Sequence, residues 1–261
     1  MALRVLVAGK GGVGKTTVAA LLSHFLVEKG YRVLAVDTDS VPNLAAALGL
    51  PRHVREGIVP LARNEELIEE RTGARPGGAW GVLFRVNPRV EDLADRYGVR
   101  VTDGLTLLVV GSIDSAKQGC LCPAVALAKR LLRHLIFSSE DAVVVDAEAG
   151  AEVFGRGLAE GFDHMLCVSE PTVKSLEISR RLIRMGRELG IGEVSLIVNK
   201  VPRSMKIPEI GAPPGVRVYT VPYDEEILRA DLEGLGVDSY PRDSPAVSSL
   251  RRAFEEIFGG G

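Results

Sequence analysis

Leu3-Arg-Val-Leu-Val-Ala-Gly9-Lys10-Gly11-Gly12-Val13-Gly14-Lys15-Thr16-Thr17 is the stretch from which the rest of the chain can be read. Its Val- and Leu-rich start reads as a buried strand and its glycines as a tight turn. Val18, Leu21, Leu22 and Phe25 then recur at helical spacing. Within it, Gly9, Gly14, Lys15 and Thr16 fit the pattern G-x-x-x-x-G-K-[ST] of a phosphate-binding loop. Glycines let the backbone of Gly9, Gly11, Gly12, Val13 and Gly14 wrap closely, and the N–H groups running on to Thr17 point inward at a helix start. Lys15 is placed to reach the β and γ phosphates, and the Thr16 hydroxyl to ligate Mg²⁺. A glycine-rich turn with a chance lysine is the alternative, and the strand-to-helix context speaks against it.

Lys10 is an additional lysine at the second position of the loop. With it, Gly9 to Thr17 resembles the deviant Walker A loop of the MinD, ParA and nitrogenase iron-protein class. That resemblance implies an ATP-dependent homodimer in which Lys10 crosses to the partner's nucleotide.

The chain has 261 residues, 46% apolar and 25% charged, which suits a single α/β domain over 1–261. Its expected form is a three-layer P-loop NTPase fold, a mostly parallel central sheet flanked by helices. The formal net charge of -2 supplies no global field to recruit nucleic acid or anionic lipid, so neither is expected as a partner. The N-terminal apolar run passes straight into the phosphate loop and no stretch approaches the ~18 apolar residues of a membrane span, so a cytoplasmic location is expected. Three cysteines, two of them one residue apart, argue against a disulfide framework.

Arg32 to Asp37 reads as a second buried strand, ending in Asp37-Thr38-Asp39-Ser40 at the rim where parallel sheets place ligands. In the resembled class the second aspartate of this D-x-D positions the attacking water, a role that falls to Asp39; capping of a short helix over Asn43 to Leu48 is the alternative. Residues 50–104 form an irregular insertion broken by Pro51, Pro60, Pro76 and Pro88. Glu65 to Arg71 looks helical and Gly81 to Val86 suits a short strand. An insertion of this kind covers a site or docks a partner.

After the strand Leu105 to Val110 comes Gly119-Cys120-Leu121-Cys122-Pro123. Pro123 opens a helix with Val125, Ala128, Leu131, Leu132 and Leu135 on one face. A helix N-terminus favours thiolate, and two thiolates leave a four-coordinate soft-metal site half filled. A two-fold dimer with this loop on its axis supplies the other two, so Cys120 and Cys122 point to a metal shared between chains. Structural cysteines and a local disulfide remain open.

Ala142 to Asp146 is a buried strand ending in an acid. Asp146 is placed to hold Mg²⁺ through water, and Gly150 to sense the γ phosphate. Cys167 lies in a further strand and reads as core. Arg180, Arg181, Arg184 and Arg187 cluster on the helix after Pro171, where Glu177–Arg181 and Arg184–Glu188 suit i,i+4 pairs on a solvated face. Ser195 to Asn199-Lys200-Val201-Pro202 reaches the expected base pocket. Pro202 stands where a guanine-specific aspartate would, which favours adenine, with Asn199 at the base edge. Val221-Pro222-Tyr223-Asp224 closes the pocket. The last helix, with Val247, Leu250, Phe254, Ile257 and Phe258 on one face, reads as packed on the sheet rather than on lipid, since Glu255 and Glu256 offset Arg251 and Arg252.

Taken with Glu66 to Ala74, Phe84 to Pro88, Asp146-Ala-Glu-Ala-Gly150 and Gly155-Arg-Gly157, these segments resemble the CooC-type ATPases that mature nickel carbon monoxide dehydrogenase. The resemblance implies an ATP-hydrolysing homodimer that binds Ni²⁺, with Zn²⁺ as competitor, through Cys120 and Cys122 of both chains. It further implies delivery of the metal to a carbon monoxide dehydrogenase or a related client such as acetyl-CoA synthase. One departure is Val153, where a histidine is expected. A ParA- or MinD-type positioning ATPase and an iron-sulfur scaffold or reductase are the alternatives.

Overall fold

The computed structural model describes residues 2–39, 41–77, 83–111, 122–138, 141–147, 159–202, 205 and 214–259. Its eight strands are β1 (Leu3–Gly9), β2 (Val33–Asp37), β3 (Val99–Thr102), β4 (Leu105–Val109), β5 (Ala142–Asp146), β6 (His164–Ser169), β7 (Glu193–Val201) and β8 (Arg217–Pro222). They form one sheet in the order β3-β4-β2-β5-β1-β6-β7-β8, parallel throughout except for the β3–β4 pair. The expected α/β class with a mostly parallel sheet is what the chain adopts. β2 and β5 are wholly apolar until their last residue, as strands covered on both faces must be.

Period-two alternation then splits the core in two. Leu6, Ala8, Val143 and Val145 point into one apolar cluster, Val5, Val7, Val144 and Leu166 into the other. The helices are α1 (Lys15–Glu28), α2 (Leu44–Ala47), α3 (Arg52–Glu56), α4 (Glu65–Thr72), α5 (Leu93–Tyr97), α6 (Cys122–Ser138), α7 (Val173–Glu188), α8 (Glu225–Leu232) and α9 (Pro245–Phe258). Side chains of α4, α5, α6 and α7 fill the first cluster, and those of α1, α2 and α9 the second. This gives three layers.

On α9, Val247, Leu250, Phe254 and Ile257 are buried. Phe254 stacks at a tilt on Phe25, 5.7 Å between ring centres, and Lys29–Glu255 and Arg251–Glu28 pair the helix with α1. The apolar face expected to lie on the sheet does so. Among the described residues no helix is long and apolar enough to cross a membrane.

The insertion differs from its sequence reading. It contains α3, a 3-10 turn at Leu61–Arg63, α4 and α5, and it ends in β3, an edge strand that the reading missed. Gly81 and Val82 lie outside the described residues. Leu83 to Val86 form no strand, and Leu83 is 93% exposed. The two expected ion pairs on α7 are also absent among the described residues. Arg181 and Arg184 are exposed, and Arg187 instead donates to the Pro214 carbonyl oxygen at 2.9 Å. Exposed pairs of this kind gain too little to fix long side chains. Cys167 is core as expected, and burial pushes its thiol up to about 12.

Candidate nucleotide site

The glycine loop leaves the carboxyl end of β1, which lies between β5 and β6 in the middle of the sheet, the rim where doubly wound sheets hold ligands. A Cβ on Gly9 would overlap the Val168 carbonyl oxygen of β6, so only glycine lets the loop begin there. Gly14 has a left-handed φ of 96°, and a Cβ on it would stand 2.5 Å from the Asn199 amide nitrogen. Gly14 then leads into α1 with no side-chain cap and no acidic side chain in the first turn. The N–H groups of that turn therefore face the open cavity, ready for an anion.

That cavity has a volume of about 490 Å³. Gly12, Lys15, Thr16 and Asp39 give its lining polar and charged groups, and Pro222, Ile227, Tyr240 and Leu250 give it apolar and aromatic ones. Such a mixed lining suits a molecule that carries both phosphates and a flat ring. Lys15 is buried, and its ammonium donates to the Lys10 carbonyl oxygen at 3.2 Å. Lys10 itself is exposed.

Beneath the loop, β2 and β5 end in register with Asp37 opposite Asp146. Both carboxyls are buried. Burial raises Asp37 to about 6, partly opposed by N–H bonds from Asp39 and Leu44. Burial, with the Asp37 charge adding to it, raises Asp146 to about 7, while the Thr16 hydroxyl and Lys15 pull the other way. One Asp146 carboxylate oxygen, Oδ1, has no hydrogen-bond partner among the described residues. An oxygen-only donor set of hydroxyl and carboxylates with one orphaned oxygen fits a hard divalent cation such as Mg²⁺. No group of three or more His, Cys, Asp or Glu among the described residues is placed to hold a metal.

Asp37 has a second task that the sequence did not disclose. Its Oδ2 accepts from the Leu44 N–H at 3.0 Å and its Oδ1 from the Asp39 N–H at 3.0 Å. It thus anchors the start of α2. Asp39 accepts from the Val41 N–H at 3.0 Å and lines the cavity.

On the other wall, the β7–β8 ladder shifts register between Val198 and Val201, and Lys200 within that shift takes a left-handed φ of 58°. The irregularity turns two side chains to the loop. Asn199 donates to the Val13 carbonyl oxygen at 2.9 Å, and the Lys200 ammonium to the Gly12 carbonyl oxygen at 2.6 Å and to Glu170 at 3.0 Å. Asn199 was expected at the base edge; its amide nitrogen is engaged with the loop. Lys200→Ala should loosen Gly12 and weaken nucleotide affinity about tenfold, the effect of losing one charge-assisted hydrogen bond. Fluorescent-nucleotide titration checks this, and unchanged affinity would leave Lys200 without a role in the loop.

Asp224 is the site residue whose individual role the sequence reading overlooked. Burial opposes its ionisation, but bonds from the Ser244 hydroxyl at 2.7 Å and from the Ala246 and Glu226 N–H groups prevail and hold the carboxyl below its usual range. One side chain thereby caps α8 and ties α9 to the cavity lining. Cys122, exposed, is the first residue of α6. Cys120, Gly150 and Val153 lie outside the described residues.

A family model described as the CobQ/CobB/MinD/ParA nucleotide binding domain matches residues 5–237. An uncharacterized ATP-binding protein of Methanocaldococcus jannaschii is 41% identical over 98% of this chain and 97% of its own. The carbon monoxide dehydrogenase accessory protein CooC of Rhodospirillum rubrum is 37% identical over 98% of both. In fold, the chain is similar to MinD complexed with Mg-ADP from Pyrococcus horikoshii, with a TM-score of 0.68 at 22% identity over 99% of this chain and 96% of that one.

Proposed function

Because the chain belongs to the CobQ/CobB/MinD/ParA nucleotide-binding family, we propose that it is an ATP-dependent metallochaperone of CooC type, which takes up nickel as cargo and delivers it to a carbon monoxide dehydrogenase or related client. The observation that carries this is end-to-end similarity to CooC together with the sequence Cys120-Leu-Cys122-Pro123, of which Cys122 is exposed and begins α6. Zn²⁺ is the competing cargo.

In this reading the chain is an ATPase whose loop N–H groups and Lys15 hold the phosphates while Ile227, Tyr240 and Leu250 pack the adenine. Thr16 and Asp146 would hold Mg²⁺, whose charge would screen that of the phosphates. Asp39, at the cavity rim, orients the attacking water, and the exposed Lys10 reaches the nucleotide of a second copy. The Asp37 anchor on α2 keeps the Asp39 segment at a fixed distance from the loop. Binding and hydrolysis would then alter how two copies meet, and with it the geometry of the thiolates that Cys120 and Cys122 of each copy contribute.

Anaerobic Ni²⁺ titration of wild type against a Cys120→Ser, Cys122→Ser double variant tests the proposal. Wild type should bind about one ion per two chains, and the double variant should lose that site while keeping nucleotide affinity. Equal stoichiometry in both would remove the thiolate site from the mechanism.

A further inference from the structure

Gly49, just past the end of α2, and Gly236, between α8 and the 3-10 turn Val237–Ser239, meet backbone to backbone. A Cβ on Gly236 would stand 2.3 Å from the Gly49 Cα and 2.4 Å from its nitrogen, well inside contact distance. Gly236 has φ −78° and ψ 168°, an extended backbone that any residue adopts. Its lack of a side chain therefore answers to close approach and not to conformation. Gly49 answers to both. At a left-handed φ of 78° it stops α2, its N–H donating to the Ala46 carbonyl oxygen at 2.9 Å and the Leu50 N–H to that of Ala45 at 3.1 Å.

The contact joins two parts of the nucleotide site. On one side, the segment from α8 onward gives the cavity Ile227, Leu228 and Tyr240. The Ser239 N–H donates to the Gly236 carbonyl oxygen at 3.0 Å and the Tyr240 N–H to that of Val237 at 3.2 Å, so Tyr240 follows the contact through a closed turn. On the other side stands α2. Its Leu44 N–H is held by Asp37 Oδ2, while Asp37 Oδ1 holds the Asp39 N–H. Val237 and Tyr240 lie in one apolar cluster with Leu44, Ala45 and Leu48. Thus α2 is fixed at its start by the carboxylate that also holds Asp39, and stopped at its end by the backbone of the cavity lining. Close-packed elements pass a shift on rather than absorb it.

We propose that Gly49 and Gly236 are positioning residues for ATP hydrolysis. Their contact is a spacer through which the lining segment, steadied by the ring packed on it, sets where α2 and Asp39 stand relative to the nucleotide. The inference rests on the reading of Asp39 as the residue that orients water.

Steady-state ATPase assays and titration with a non-hydrolysable ATP analogue, both on the full chain, test it. Gly236→Ala adds one methyl at the contact and no backbone strain. It should lower kcat about tenfold or more and leave affinity for the analogue within about twofold. Weaker affinity at unchanged kcat would mean that the lining had moved instead of Asp39, and would overturn the proposal. Gly234, at φ 71° with nothing near its missing Cβ, is the control: Gly234→Ala should lower stability and keep kcat. An equal fall of kcat in both variants would also overturn it. In an Asp39→Ala background Gly236→Ala should reduce turnover no further, because the group it positions is gone; a further tenfold fall there would show a general structural role. Full turnover in Asp39→Ala would remove the reading of Asp39 and this inference with it, whereas loss in Asp39→Ala alone would remove only the inference. Hydrogen exchange on wild type decides the matter should Gly236→Ala fail to fold. The Leu50 N–H should exchange at least about threefold more slowly with Mg²⁺ and the ATP analogue than with Mg²⁺ and saturating inorganic tripolyphosphate, which has no ring to pack on Tyr240. Equal exchange in the two would overturn the spacer.

Discussion

Lys15→Ala is expected to lower kcat/KM for ATP about 10³-fold, the scale of removing a preorganised positive group from a phosphoryl-transfer site. The Lys15 side chain is buried at the base of the cavity, and its Nζ donates to the Lys10 carbonyl oxygen at 3.2 Å. An ammonium has three N–H donors, so further donors remain for phosphate oxygens. Alanine removes the charge and all the donors at once, yet leaves the loop path intact, because that path is set by Gly9, Gly14 and the Lys200 bond to Gly12. The variant should melt close to wild type while turnover disappears. Lys10→Ala should separate from it. Its side chain is exposed and away from the cavity wall, so one chain should still bind nucleotide while turnover that depends on a second copy falls. Steady-state ATPase assays paired with nucleotide titration read both outcomes. Full activity in Lys15→Ala would end the phosphate-loop assignment.

The path of the loop that carries Lys10 and Lys15 could be read from sequence because it is local: glycine spacing, a strand before and a helix after fix where it runs. The apolar faces of α1, α6 and α9 were legible for a similar reason, since helical period alone selects Val247, Leu250, Phe254 and Ile257. What escaped depends on partners distant in the chain or on the path of a turn. Asp224 reaches Ser244 and Ala246 across 20 and 22 residues, whereas the Asp37 bond from the Leu44 N–H spans only seven and depends on the path of the turn between β2 and α2, which no residue pattern announces. The signal for the first was present as Asp224 and Ser244-Pro245 at two helix starts, though no local rule joins them. β3 is four residues long and edge-bound, and its pairing with β4 exists only after the hairpin forms. The α7 ion pairs failed for the opposite reason: spacing permitted them, and exposure left them too little gain to form.

Asp146→Asn should stabilise the metal-free protein and disable it in the same step. With its folded value near 7 against an ordinary 3.8, the Asp146 carboxyl keeps in the native state a proton that the unfolded chain gives up. Below about pH 4 both states are protonated and the side chain costs nothing. As pH rises towards 7 the unfolded state is favoured progressively, because only it ionises freely; the contribution is lost as the folded group titrates. Wild type without metal is therefore expected to be less stable at pH 8 than at pH 5. Asparagine cannot ionise and should recover on the order of 4 kcal/mol at pH 8, less where Asp37 titrates with it, and close to nothing at pH 4. Mg²⁺ with nucleotide reverses the ranking. A divalent cation is the partner that the orphaned Asp146 oxygen lacks, so wild type should gain strongly from it at pH 8. The asparagine variant should gain little and lose about 10²-fold or more in turnover. Chemical denaturation at pH 4, 5 and 8, with and without Mg²⁺-nucleotide, reads all of this in one series. If the variant were the less stable protein at pH 8 without metal, or if Mg²⁺-nucleotide stabilised both proteins equally, the buried carboxylate pair would not be the cation site.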